Sequence, residues 1–167
     1  MTLERLWAGW RGEYVASLTT EGPGNGSVFT RILESGRPDE ETYIVHRGER
    51  VFAILNLYPY GTGHLLVMPY REVAELDELE PDEAAELWST VTDAVTALRT
   101  AYGPDGINVG INFGAAAGAG VPSHLHVHVL PRWRADSNFI TAVAETRVLP
   151  EALPTTWKKL RSSWPAT

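Results

Sequence analysis

The run of residues 124–130, His-Leu-His-Val-His-Val-Leu, constrains the fold of this chain more than any other segment. Its histidine and aliphatic side chains alternate with a period of two, which is typical of a β-strand with one buried face. Leu125, Val127 and Val129 are therefore expected to point into a core, while the three histidines share the opposite face. The chain must then build a sheet that covers the aliphatic face and leaves the imidazoles open to a ligand.

Four more strands and one long helix are predicted from the remaining sequence. β-Branched and aromatic runs bounded by turn residues predict strands at Tyr43–Arg47, Val51–Asn56, His64–Pro69 and Ile107–Phe113. A helix is predicted at Pro81–Tyr102, because proline suits its first position, acidic residues follow in its first turns, and glycine comes directly after it. Five strands without a repeating strand–helix alternation predict an α+β fold with an antiparallel sheet and one long packed helix.

Weaker helical patterns flank this region. In Leu3–Leu18 the apolar positions lie three and four residues apart, which predicts an amphipathic N-terminal helix before a glycine-rich loop. A short helix is compatible with Trp157–Trp164, and the period of Ser27–Leu33 does not distinguish a helix from a strand. We expect one domain overall, with an N-terminal helix and loop at 1–26, the main region at 27–140 and a C-terminal extension at 141–167.

Composition excludes several classes of protein. The chain has no cysteine, so disulfides, thiolate nucleophiles and sulfur-held zinc are excluded. Its 14 basic and 21 acidic residues give a net charge of −7, which argues against a nucleic-acid partner. No apolar run is typical of a signal peptide or long enough to span a bilayer. We therefore expect a cytoplasmic protein without a membrane partner.

Three imidazoles on one strand face are compatible with three interpretations. They could bind a catalytic zinc, as in some hydrolases, although the flanking residues are aliphatic and supply no supporting carboxylate. One imidazole could instead attack a substrate while the others orient it or protonate a leaving group. The face could also be merely polar and solvated. The pattern favours catalysis over the other two.

The run 124–130 resembles the histidine-triad motif of the HIT family, and the segments around it agree. It continues as Pro131-Arg132-Trp133 and Asn138-Phe139, which is similar to the branch containing diadenosine polyphosphate hydrolases and phosphorylases. Residues 28–33 resemble the family's N-terminal segment, and residues 51–70 resemble its first conserved block. The resemblance implies a HIT-like catalytic domain at 27–140 that binds nucleotides.

The activity implied by this resemblance is cleavage at the α-phosphate of a dinucleoside polyphosphate, with diadenosine tetraphosphate as the first candidate. The reaction would pass through a nucleotidyl-histidine, and either water or phosphate would accept the nucleotide. A nucleoside phosphoramidase, another nucleotidyl transferase and a non-catalytic nucleotide-binding module remain alternatives. The family also implies a homodimer. No resident cofactor is expected, and any Mg²⁺ would be bound by the substrate's own phosphates.

The resemblance also implies roles for individual residues. His126 matches the family's nucleophile, His124 and His128 match the partners that orient it and contact the phosphate and leaving group, and His64 matches a supporting fourth histidine. The positions that match substrate contacts are Asn56 for the ribose, Val28, Phe29 and Ile32 for the base, and Asn112 near the phosphate.

The chain departs from the family pattern at two places. Gly120 and Val121 occupy positions where the family commonly has a glutamine and a serine or threonine on the phosphate, and only Ser123 offers a hydroxyl nearby. Backbone N–H groups of the Gly114–Gly120 loop are an alternative anion site. Ser27 and Thr30 occupy the positions of a Cys-x-x-Cys pair that helps hold zinc in some relatives, so we expect no metal site here.

Overall fold

A computed structural model describes residues 26–134, 136 and 151–166 of the chain. Its strands form one antiparallel sheet in the order β1-β2-β3-β5-β4. The strands are β1 (Ile44–Arg47), β2 (Val51–Leu55), β3 (Leu65–Pro69), β4 (Gly106–Ile111) and β5 (Val127–Arg132). The predicted α+β class with a five-stranded antiparallel sheet is confirmed.

The helices are α1 (Val28–Glu34), α2 (Asp39–Thr42), α3 (Pro81–Tyr102) and α4 (Leu153–Ser163). The ambiguous segment after Ser27 is thus helical, and Ser27 caps it by accepting a hydrogen bond from the backbone N–H of Thr30 at 3.2 Å. The C-terminal helix begins at Leu153 rather than at the predicted Trp157, because Pro154 is tolerated in a first helical turn. The predicted helix at Leu3–Leu18 lies outside the described residues.

The long helix α3 has the predicted bounds. Glu80 and Glu83 form a reciprocal capping box at its start, and Gly103 ends it in the left-handed region at φ 53°. Its apolar side packs on β2, β3 and β5. That side buries Leu87, Val91, Ala94, Ala97 and Leu98.

Both faces of the central strands are covered. The face under α3 forms the larger core, and Leu160 of α4 is fully buried in it. The opposite face forms a second cluster in which Phe29 of α1 packs with Phe52, Ile54 and Leu66. Every residue of β2 and β3 is therefore buried. Helix α4 of the C-terminal extension packs on the larger core. It is also tied to β1, since the indole N–H of Trp157 donates to the carbonyl of Ile44 at 2.8 Å.

The strand that carries the histidines begins three residues later than predicted. Pairing of β3 with β5 ends at Val67↔Val127, and beyond that point the backbone N–H of Leu125 bonds to the carbonyl of Val73 at 2.6 Å. Pro69, at the end of β3, has no N–H to continue the ladder. His124 and His126 therefore precede β5 and are not strand residues.

The histidine face, expected to be open to a ligand, is covered in part. His124 is 0% exposed and His126 is 5% exposed, whereas His128 is half-buried. The reason is that α1 covers this side of the sheet, with the ring of Phe29 centred 5.5 Å from His124 and 5.7 Å from His126. Separately, none of the helices in the described part of the chain combines the length and apolarity that a bilayer span requires.

Candidate active site

A cavity of about 810 Å³ opens beside the histidines. It lies between α1, the loop from β2 to β3 and the glycine-rich loop before β5, and this volume is within the range of small-molecule sites. His126 and His128 line it. The other predicted site residues on its wall are Val28, Phe29, Ile32, Asn56 and Gly120.

The ring of His126 is held by its own chain. Its Nδ1 lies 2.7 Å from the carbonyl oxygen of His124. Because a carbonyl only accepts, Nδ1 must carry the hydrogen, and Nε2 of neutral His126 then keeps a lone pair. No hydrogen bond from the described residues reaches that Nε2. Burial lowers the pKa of His126 from 6.5, so the ring is neutral and nucleophilic near pH 7.

His64 and His128 form a second hydrogen-bonded unit. The backbone N–H of Tyr60 donates to Nδ1 of His64 at 3.0 Å, so that Nε2 of the neutral ring carries the hydrogen. This Nε2 lies 3.0 Å from Nδ1 of His128 and donates to it. The remaining hydrogen of His128 is then on Nε2, at the cavity wall. His64 itself is buried behind His128.

Asn112 and Asn56 flank this unit. The side-chain amide of Asn112 lies 3.3 Å from Nε2 of His128, and its oxygen accepts from the ring when the amide is oriented accordingly. The amide nitrogen of Asn56 lies 3.3 Å from Nδ1 of His64, and its oxygen accepts from the backbone N–H of Tyr58 at 3.0 Å. Asn56 therefore shapes the β2–β3 loop as well as lining the cavity.

His124 lies behind the cavity rather than on its wall. Its Nε2 donates to the carbonyl of Pro69 at 2.9 Å, so its Nδ1 accepts from the hydroxyl of Ser27 at 2.7 Å. Burial lowers the pKa of His124 as well. His124 is thus a neutral, doubly anchored ring that presents its backbone carbonyl to His126.

Ser123 does not reach the cavity. Its hydroxyl donates to Oε1 of Glu72 at 2.7 Å, on the outer side of the triad segment. The hydroxyl that the sequence offers near the phosphate-binding positions is therefore held by a carboxylate on another loop. Gly120 and Val121 do line the cavity, as small or apolar residues beside the histidines.

Sequence reasoning missed two residues at the site. The ring of Tyr60 is centred 4.6 Å from His64 and 5.7 Å from His128 and covers this pair. An aromatic residue in the turn-rich loop before His64 was a signal that could have found it. Glu72 accepts hydrogen bonds from the backbone N–H of Ser27 and from the hydroxyl of Ser123. No local sequence pattern predicts this role.

The positions matched to the cysteine pair carry two neighbouring hydroxyl groups. Oγ of Ser27 and Oγ1 of Thr30 lie 3.2 Å apart. Neutral hydroxyls do not supply the thiolate donors of such zinc sites, so these residues do not fit a sulfur-held zinc. Within the described ranges, no group of three or more histidine, aspartate or glutamate side chains is arranged to hold a metal ion.

Known proteins resemble this chain in sequence. Residues 37–135 match the family model of the HIT domain. The chain is 42% identical to an AP-4-A phosphorylase of Mycobacterium tuberculosis, over 97% of its own length and 85% of that protein. It is 37% identical to an asymmetrical bis(5'-nucleosyl)-tetraphosphatase of Schizosaccharomyces pombe, over 56% of the chain and 50% of that protein.

Solved structures agree with the fold. A hypothetical histidine triad nucleotide-binding protein of Sulfolobus tokodaii superposes with a TM-score of 0.67 at 31% identity, covering 82% of this chain and 91% of the other. A Zn-bound histidine triad family protein of Mycobacterium smegmatis superposes with a TM-score of 0.66 at 28% identity, covering 83% and 92%. The family match spans more than half of the chain, and the histidine geometry accompanies it. This chain belongs to the HIT domain family.

Proposed function

We propose that this protein is a nucleotidyl-transfer enzyme that cleaves a dinucleoside polyphosphate, with diadenosine tetraphosphate as its first candidate substrate. The observation that carries the proposal is the arrangement of His126. Its Nε2 keeps a lone pair at the cavity wall, while its Nδ1–H is fixed on the His124 carbonyl at 2.7 Å. The name of the Mycobacterium tuberculosis relative supports the choice of substrate.

In the first step, Nε2 of His126 attacks the α-phosphorus of the bound dinucleotide. The bond from that phosphorus to its bridging oxygen breaks, ATP leaves, and AMP remains on His126. The ring becomes positively charged, and the His124 carbonyl stabilises this charge through the Nδ1–H that it already accepts. Nε2–H of His128 turns from the Asn112 amide and supplies a hydrogen bond to the phosphate or to the leaving oxygen.

The cavity wall offers a subsite for each part of the nucleotide. Val28, Phe29 and Ile32 pack the base, and Asn56 contacts the ribose. The backbone N–H groups of Gly120 and Val121 take the place of the phosphate-binding side chains that other family members carry. Asn112 acts through His128, whose Nε2 lies 3.3 Å from its side-chain amide.

Inorganic phosphate is the acceptor that we propose for the second step. An oxygen of the phosphate attacks the same phosphorus, the bond to Nε2 breaks, and ADP leaves with the imidazole regenerated. Gly120 and Val121 leave space for this anion and provide no side-chain hydroxyl or amide to order a water. The relative that aligns over most of the chain is named a phosphorylase.

The proposal includes a cytoplasmic homodimer without a resident cofactor, and any Mg²⁺ enters with the substrate's phosphates. Support for the dimer comes from β4, which forms one edge of the sheet. Val109 on this strand is 44% exposed, and Phe113 just beyond it is 40% exposed. An exposed apolar edge strand is a surface on which a second sheet can pair.

Product analysis tests the substrate and the acceptor. Incubation with diadenosine tetraphosphate and inorganic phosphate should yield ADP and ATP, and omission of phosphate should suppress turnover. Chromatography of the released nucleotides measures this. AMP with ATP, formed without phosphate, would identify a hydrolase instead. Absence of any product would overturn the substrate assignment and direct the search to phosphoramidates and adenylyl sulfate.

Substitution of the nucleophile tests the role of His126. His126→Asn should abolish turnover and leave nucleotide affinity within roughly tenfold, as expected when only stabilisation of the transition state is lost. The matched control is His46→Asn, because His46 stacks on Trp164 at 5.0 Å outside the cavity. Initial rates and equilibrium binding of AMP measure both effects. Turnover in His126→Asn at the wild-type rate would contradict the assignment.

The pH dependence tests the protonation state of His126. Attack requires the neutral ring, and burial lowers the pKa of His126 below 6.5. Activity should therefore persist as the pH falls to 6.5 and decline only at lower pH. The profile of kcat/KM for diadenosine tetraphosphate at saturating phosphate measures the acidic limb. A midpoint above pH 6.5 would show that the nucleophile is not a buried neutral imidazole.

The oligomeric state tests the role of the β4 edge. Light scattering should give twice the 18.4 kDa of one chain. Val109→Lys should shift the protein toward the monomer, because a lysine on an edge strand opposes sheet pairing. Thr92→Lys, on the exposed side of α3, is the matched control. A wild-type monomer at micromolar concentration would refute the dimer.

A further inference from the structure

Glu72, in the loop after β3, joins three segments of the chain with one carboxylate. Its Oε2 accepts from the backbone N–H of Ser27 at 2.6 Å and from the hydroxyl of Thr30 at 3.1 Å. Its Oε1 accepts from the hydroxyl of Ser123 at 2.7 Å. We call Glu72, Ser27, Thr30 and Ser123 the carboxylate clamp. It ties the start of α1 to the segment that carries the triad.

The carboxyl group of Glu72 is ionised near pH 7. Partial burial raises the pKa of Glu72, but the hydrogen bonds from Ser123, Ser27 and Thr30 lower it by more, so its net pKa lies below the usual value. The backbone directly before Ser27 also packs closely against the clamp. A side chain at Gly26 would approach within 2.9 Å of Thr30 and 3.2 Å of Oε2 of Glu72. The segment is thus fitted closely around the carboxylate.

The clamp leads to the reactive ring through two further hydrogen bonds. The backbone of Ser27 is held by Glu72, and its hydroxyl donates to Nδ1 of His124 at 2.7 Å. The backbone carbonyl of His124 then accepts from Nδ1 of His126 at 2.7 Å. Glu72, Ser27, His124 and His126 therefore form a continuous chain of contacts.

We propose that Glu72 is a positioning residue for nucleotidyl transfer, which fixes the hydroxyl of Ser27 on His124 and thereby holds the ring of His126 in its reactive orientation. This inference rests on the role of His126 proposed above. Glu72 is not among the residues that line the cavity. Its effect passes through hydroxyls at the positions where some relatives use a metal.

An alanine and a glutamine at position 72 separate positioning from mere folding. Glu72→Ala removes both carboxylate oxygens, which accept the hydrogen bonds of Ser27, Thr30 and Ser123. Glu72→Gln keeps one oxygen for Ser27 and Thr30, and its amide can donate to the hydroxyl of Ser123, which also accepts. We expect Glu72→Ala to lower kcat by about 10- to 100-fold, a loss of the size that misplaced reacting groups produce. KM should change little, and Glu72→Gln should restore most of the rate.

Ser27→Ala is the second variant, because it cuts the same chain one step nearer to His124. It should lower kcat to a similar extent, and the double variant with Glu72→Ala should be no slower than Ser27→Ala alone. The matched control is Glu49→Ala, whose side chain is 80% exposed at the turn between β1 and β2. Long-range ¹H–¹⁵N spectra of the imidazoles report whether His124 keeps its hydrogen on Nε2, which the wild type should show and Glu72→Ala should lose in part.

The outcomes distinguish this inference from the proposed function. If His126→Asn is inactive while Glu72→Ala and Ser27→Ala keep the wild-type kcat, the positioning role is refuted and the proposed function stands. If His126→Asn keeps full activity, the proposed function itself is refuted. Equal losses in Glu72→Ala and Glu72→Gln, or a change in KM alone with an unchanged His124 spectrum, would also refute the positioning role.

Discussion

The hydrogen bond from Nδ1 of His126 to the carbonyl of His124 fixes the chemistry of the whole site. At 2.7 Å it sets the tautomer, orients the ring and leaves Nε2 directed toward the cavity. This bond exists because the triad segment is not paired with β3 before Val127. The carbonyl of His124, which would face a neighbouring strand in a longer ladder, is therefore free to accept from the side chain of His126. A regular strand through residue 124 would place that carbonyl in the sheet. The late start of β5 therefore determines how the ring of His126 is held.

Burial of the imidazoles is the second constraint. The side chains of His64, His124 and His126 lie beneath α1 and the β2–β3 loop, and a buried ring without partners carries a large desolvation cost. Each ring meets this cost by using an available backbone group. His124 uses the carbonyl of Pro69, His126 uses that of His124, and His64 uses the N–H of Tyr60. The carbonyl bonds of His124 and His126 favour the charged rings, but burial lowers the pKa of both by more, so the rings are neutral near pH 7.

The parts of the fold that local physics determines were predicted from the sequence, and the parts set by distant contacts were not. Helix α3 has its apolar stripe within its own residues and its caps directly beside them, so both of its ends agreed with the prediction. The burial of His124 depends on Ser27, which lies 97 residues away in the chain, and the contact between Glu72 and Ser27 spans 45 residues. No period of two or of 3.6 residues carries such information. The covering of His124 by α1 was not predicted for that reason, because alternation specifies the two faces of a strand but not what packs on each.

The charge balance of the site is compatible with the neutral hydroxyls of Ser27 and Thr30 at the start of α1. In the proposed reaction, attack by His126 creates a positive ring in a buried place. The compensating groups are the dipole of the His124 carbonyl and the phosphate that the ring has just bound. A cation bound beside His124 would oppose this change through space. The clamp brings the opposite sign, since ionised Glu72 favours positive charge at His124 electrostatically while burial disfavours it. The hydroxyl of Ser27 lies between the carboxylate and the ring, so His124 is held firmly and yet stays neutral. Rigid support without a competing positive charge is what an imidazole nucleophile requires from the residues behind it.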